Sequence, residues 1–231
     1  MKQTVTDKDE KLLSKEGQGS SPFLSYLFVT STSYPGHDLR GDQETGLKGA
    51  DEKCRSLAAK GTLTKDIKIL GAQWTAFLAD SVNDGPARFP HGDSLQVVNV
   101  RGEPLKESGK AFFGDSWPSS SLGLDNTGQL PSSLMSQMFL TEVGIGGGKE
   151  IDVNVPLVGN SYMLWTGMTP KGTSALDNCD NWGPGTGLFG SRGSTQRNLF
   201  DGWQWWSVSG AERVTCDYSY HFICILSPES L

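Results

Sequence analysis

Four cysteines, at positions 54, 179, 216 and 224, constrain this 231-residue chain more than any other feature. They form an even set, too few to stand in for a hydrophobic core but enough to staple one. No C-x-x-C spacing occurs, so neither a zinc ribbon nor a thioredoxin-type motif is expected. Two readings remain for the thiols. Either they pair, which places folding outside a reducing cytosol, or they are four buried free cysteines.

The rest of the chain has the material for a core. Aromatic residues make up 10% of it, with seven Trp, while Gly reaches 29 residues and charged residues only 20%. That balance points to a loop-rich fold with many turns rather than a helical bundle. The formal net charge of −6 argues against nucleic acid or anionic lipid as the main partner, since both require a basic footprint.

Residues 1–21 are polar and offer almost nothing to bury, the composition of a disordered tether, and residues 22–231 read as one domain. Met1-Lys2-Gln3-Thr4 leads into charged residues and does not read as a secretory signal. Disulfide-type cysteines without such a signal are reconciled if a native leader or lipidated cysteine has been removed. No N-x-[ST] acceptor occurs, which fits a bacterial surface protein better than a eukaryotic one. The apolar run Phe23 to Val29 is too short to span a membrane and reads as a buried first strand. Leu47, Ala50, Cys54, Leu57 and Ala58 recur at three- and four-residue steps, so they share one face of a helix. The segment Ala72–Ala79, with Trp74, Phe77 and Leu78, reads as a short second helix. From Asp80 to Asn160 long loops are expected, apart from the strand signal Leu95–Val100. The last third is β-rich. Tyr162–Met168 reads as a strand, and Arg213–Cys216 with Tyr220–Ile225 reads as a closing hairpin.

At this point the motifs resemble a known fold. A helical Cys54, a Cys179 in a polar loop and two terminal cysteines follow the order found in C-type-lectin-like domains. Leu164-Trp165-Thr166-Gly167-Met168 resembles their core strand. The blocks Ala50–Cys54, Trp74–Leu78, Leu164–Gly172, Asn178–Trp182 and Cys216–Cys224 are similar to those of endostatin. Leu27–Ser31 and Asp177–Trp182 are closer still to the leptospiral endostatin-like (Len) family of surface lipoproteins. The blocks fall between about Leu24 and Leu226, and Gly102–Asn160 aligns poorly.

The resemblance implies an α+β, C-type-lectin-like (endostatin-like) domain with mixed antiparallel sheets, two helices and long loops. It implies two nested disulfides, Cys54–Cys224 and Cys179–Cys216. In the chain-entropy picture the outer one would contribute about 3–5 kcal/mol and the inner one somewhat less. It implies a bacterial outer-membrane lipoprotein, exposed at the cell surface and held by an N-terminal lipid. Such a protein acts as a virulence-associated adhesin for host extracellular-matrix proteins such as laminin or fibronectin, for complement factor H, and for plasminogen.

Site chemistry narrows these expectations. Calcium-dependent sugar binding needs several hard oxygen ligands. Lectins of this fold supply them through Glu-Pro-Asn or Gln-Pro-Asp and through Trp-Asn-Asp, none of which occurs here. Asp177, Asn178, Asp180 and Asn181 cluster around Cys179, where turn residues that cap the backbone explain them. His37, His91 and His221 stand at no metal-ligand spacing, and His221 reads as a residue on a strand's outer face. No metal or other cofactor is expected. Gly144–Lys149 lacks the phosphate-loop pattern, because Val143 and Glu150 occupy positions that need Gly and Ser or Thr. No Gly-x-Ser-x-Gly elbow or isolated acid pair occurs, so the chain is not expected to be an enzyme.

Binding residues are open to two readings. Trp203 and Trp205 share one face of an extended segment and Trp206 takes the other, as core or as protein-binding anchors. Lys65, Lys68, Arg192, Arg197 and Arg213 are candidates for anionic partners, and an ordinary solvated surface explains them equally well. The alternative function is a calcium-independent module for carbohydrate or glycosaminoglycan.

Overall fold

The computed structural model describes residues 23–39, 44–89, 95–106, 142, 163–169, 172–185, 187–194 and 214–228. The proposed tether 1–21, Trp203, Trp205, Trp206, Arg197 and Arg213 lie outside these residues.

The helical face read from the sequence forms. Helix α1 spans Gly46–Lys60 and buries Leu47, Ala50, Cys54 and Ala58, with Leu57 half-buried beside them. Its last carbonyls are satisfied from the following loop. Gly61 N–H donates to Leu57 O at 2.8 Å, and the Thr64 hydroxyl donates to Ala58 O at 2.7 Å.

That face packs on a five-stranded sheet of order β3-β11-β1-β4-β5. The strands are β1 (Phe23–Val29), β3 (Gln73–Ala76), β4 (Leu95–Asn99), β5 (Pro104–Lys106) and β11 (Ile223–Ser227). Strand β1 is central, antiparallel to β11 and parallel to β4. Side chains alternate across its pleat, so the sheet has two apolar faces. Phe28, Trp74, Ala76, Cys224 and Leu226 face α1, while Leu27, Val29, Val97, Ile223 and Ile225 belong to a second cluster with Phe77, Phe89, Leu164 and Met168. Each large side chain so buried contributes about 1.5–3 kcal/mol of transfer free energy.

Both disulfides are present and nested. Cys54–Cys224 ties α1 to β11, and Cys179–Cys216 closes a separation of 37 residues inside it. The result is an α+β fold with mixed sheets, two helical segments and two disulfides.

Two local expectations are corrected. Ala72–Ala79 contains strand β3 (Gln73–Ala76), not a helix: Trp74 and Ala76 are buried on one side, and the strand pairs with β11 in the register Cys224↔Ala76. A tight turn then follows, with Leu78 N–H donating to Ala76 O at 3.0 Å. Phe77 and Leu78 therefore enter opposite clusters, and the three-residue apolar spacing imitates a helix.

The closing hairpin does not form either. Strand β9 (Val214–Thr215) pairs with β7 (Phe189–Gly190), and β10 (Ser219–Tyr220) pairs with β2 (Tyr34–Pro35). Cys216 stands at the turn between them, where its disulfide to Cys179 holds the two strands to separate partners.

The second helical segment, α2 (Cys179–Trp182), is one turn of left-handed backbone, with φ between 52° and 62° at all four residues. This conformation costs a non-glycine residue roughly 1–2 kcal/mol, so its surroundings must enforce it. Asn178 Oδ1 accepts Asn181 N–H at 2.9 Å, the backbone-capping role expected of this cluster. The disulfide and the buried Trp182, whose Nε1 donates to Ala79 O at 2.8 Å, fix the rest. No helix among the described residues is long and apolar enough to cross a membrane.

Candidate functional site

The inner disulfide sits in an aromatic column that runs from the core to the surface. Trp165, on β6 (Met163–Trp165), is fully buried and meets Trp182 edge-on at 5.8 Å between ring centroids. Its Nε1 donates to Tyr34 O at 2.8 Å. Tyr220 packs on the other side of Trp165 at 4.7 Å, and Tyr218 lies parallel to Tyr220 at 6.1 Å. Tyr218 is 58% exposed, so the column ends in an open tyrosine ring. Tyr218 stands in the bend that leads into β10, and the parallel stacking of its ring on Tyr220 places both on one side.

Cations flank these rings. The Arg192 guanidinium, on β8 (Arg192–Ser194), lies 5.9 Å from the Tyr220 centroid, and its Nη1 donates to Tyr220 Oη at 3.2 Å. Lys53 Nζ stands 4.5 Å over the ring of Tyr34, the cross-strand partner of Tyr220. Such cation–π contacts contribute about 0.5–1 kcal/mol at exposed sites. Burial pushes the Tyr34 hydroxyl above its usual range, against the hydrogen bond from Thr32, and Glu142 pushes in the same direction. The Tyr34 ring is therefore neutral across the physiological range. His37 Nδ1 donates to Cys216 O at 3.0 Å and lies 3.5 Å from Asp217 Oδ1, at the edge of the platform.

Of the three candidates that lie among the described residues, Lys65, Lys68 and Arg192, only Arg192 joins this group. Lys65 and Lys68 are exposed, on the loop after α1. Lys68 borders a cavity of about 380 Å³ with Phe23, Tyr26, Ile67, Ile69 and Pro228. Tyr220 precedes β11 and Pro228 follows it, so the two sites lie at opposite ends of a strand about 17 Å long. The described basic candidates, Lys65, Lys68 and Arg192, do not form one patch. His221, expected on an outer face, is half-buried, and its Nδ1 donates to Thr30 O.

The tyrosines carried no signal of their own in the sequence. Only the alternation Tyr218-Ser219-Tyr220 could have marked them as a shared face. Also unread were two pairings of distant residues. Glu142, buried, accepts from both the N–H and the hydroxyl of Ser31. Asp51 pairs with Arg88 at 2.7 Å. Among the described residues no three His, Cys, Asp or Glu side chains are grouped to hold a metal ion. The platform brings together flat rings, two cations and the Asp217 carboxylate.

A scan against protein-family models gives no match, and a search of the curated proteins gives none either.

Proposed function

We propose that this chain is a bacterial surface adhesin whose C-type-lectin-like, endostatin-like domain binds host proteins. The expected ligands are extracellular-matrix proteins such as laminin and fibronectin, complement factor H, and plasminogen. The reading includes membership of the Len-type surface lipoproteins and attachment to the outer membrane by an N-terminal lipid. Its support is the motif series from Leu27–Ser31 to Cys216–Cys224, together with the nested disulfides that the same resemblance implied.

The observation that carries it furthest is the exposed Tyr218 ring, stacked on Tyr220, which Trp165 backs and Arg192 flanks. Tyr and Arg dominate the energetics of protein interfaces, because each presents a large contact area with little ordering cost when already held in place. In this reading the protein binds, and does not catalyse. The test is saturable binding of the oxidised protein to immobilised laminin, fibronectin, factor H and plasminogen. Saturation with at least one supports the proposal; failure to saturate with any of them contradicts it.

A second reading is favoured by the same ring. An open tyrosine beside the Asp217 carboxylate could also stack on a pyranose and accept its hydroxyls, without calcium. A glycan array probed with and without chelator separates the two. Chelator-independent glycan signals with no protein binding would favour the carbohydrate module.

A further inference from the structure

Two loops meet beside α2. Residues 80–84 follow β3, and residues 174–181 lead into the left-handed turn. Ser174 grips the first loop twice, its N–H donating to Asp84 Oδ1 at 2.6 Å and its hydroxyl to Asp80 O. Asn181 Oδ1 accepts Ser81 N–H at 2.7 Å. Within the first loop, Asp80 Oδ1 accepts from Val82 N–H at 2.9 Å and from Asn83 N–H at 2.7 Å. Trp182, buried and bonded to Ala79 O, anchors both loops to the core.

On this fixed base stand two apolar side chains with no packing role. Val82 is 85% exposed and Leu176 is fully exposed. Residues 80–84 and 174–181 also contain four carboxylates, Asp80, Asp84, Asp177 and Asp180, and no Lys or Arg.

We infer that this loop pair is a docking knob for a cationic amphipathic segment of a partner protein, one that sets Lys or Arg beside apolar side chains. Single exposed apolar residues are ordinary on protein surfaces. Here, however, two of them crown neighbouring loops that are cross-tied by hydrogen bonds, so little loop entropy is lost on contact. The surrounding carboxylates select a cationic partner and repel an anionic lipid surface. None of the tyrosine platform's residues takes part, so this inference and the platform reading fail separately.

The probe is a synthetic amphipathic peptide of Leu and Lys, titrated into the isotopically labelled, oxidised protein and followed by amide NMR shifts. Shifts should concentrate at residues 80–84 and 174–181. The double variant V82S/L176S should bind about tenfold more weakly, since apolar contacts at an interface centre carry most of its affinity. D180N should bind about two- to threefold more weakly, and Y218A as the wild type does. Because Val82 and Leu176 are exposed, the double variant should keep the wild-type melting temperature and spectrum. Shifts scattered over the surface, or V82S/L176S binding as the wild type does, would overturn the inference. So would phosphatidylcholine vesicles that retain the wild type but not V82S/L176S, which would make the knob a membrane contact.

Discussion

Two glycines carry constraints that their chemistry alone would not suggest. A Cβ on Gly36 would stand 2.4 Å from Cys179 Sγ and 3.0 Å from the Trp165 ring. On Gly190 it would stand 2.7 Å from the same sulfur and 2.7 Å from the ring. The two glycines thus border the disulfide and Trp165, and neither neighbour can yield without disturbing the column. Gly36→Ala and Gly190→Ala should each destabilise the oxidised protein by about 1–3 kcal/mol, the usual cost of overpacking. Urea titration measures it, and a wild-type midpoint for both would show that the contact is looser than described.

Asp51 is a third residue whose role its chemistry alone would not suggest. Its Oδ1 accepts Ala76 N–H at 2.8 Å, and its Oδ2 binds Arg88, whose Nη1 donates to Ala76 O at 2.7 Å. One ion pair therefore satisfies the outward N–H and C=O of Ala76 on edge strand β3, where an unguarded strand would invite pairing with another chain. Burial raises the Asp51 carboxyl above the usual carboxylate range and outweighs the opposing pull of Arg88, the Ala76 N–H and Arg55. A carboxyl raised in the folded state holds its proton more tightly there than in the unfolded chain. The stability this contributes is full in acid, falls as pH rises through the carboxylate range, and is gone once Asp51 is ionised in both states. Relative to D51N, the wild type should lose stability as pH rises from acid toward neutral and then level off. A difference that grows in the opposite direction contradicts this account of Asp51.

At the level of elements, the two disulfides do different work. Cys54–Cys224 fastens α1 to an interior strand across 170 residues, and Cys179–Cys216 holds the left-handed turn against a loop. By loop closure alone, C54S/C224S should cost about 5 kcal/mol and C179S/C216S about 4. The inner pair also holds a strained turn, so its removal should perturb Trp182 and Trp165 fluorescence before global unfolding. Denaturation followed by tryptophan emission checks both, and coincident transitions in C179S/C216S would contradict the local role.

Helix α1 and strands β1, β4 and β6 were legible because their apolar spacing is local. The misreadings share one cause, which is partners that are distant in the chain. Trp74, Phe77 and Leu78 imitate a helix until β11 supplies the register that makes Gln73–Ala76 a strand. Residues 214–225 imitate a hairpin until Tyr34 and Phe189 claim its two arms. The tyrosine platform was hidden for the same reason. Arg192 stood out as a charge, but Tyr34, Tyr218 and Tyr220 become a platform only when β2, β8 and β10 meet over Trp165.

For the whole molecule, a sheet buried on both faces and two disulfides hold β1 and α1 to β11, and the left-handed turn to Cys216. That leaves the surface loops free to carry recognition without endangering the core. In the proposed reading, the cation-flanked tyrosine platform of this acidic chain is the surface that contacts a host protein. The most direct test compares the oxidised wild type with Y218A and Y218A/R192A by surface plasmon resonance on whichever host protein gives saturable binding. Tyr218 is exposed, so Y218A should melt as the wild type does, and any change in affinity reports on the contact itself. The expected result is binding about tenfold weaker in Y218A and weaker again in the double variant, mainly through faster dissociation. Saturable binding that neither variant alters would contradict the assignment of the platform as the adhesive surface.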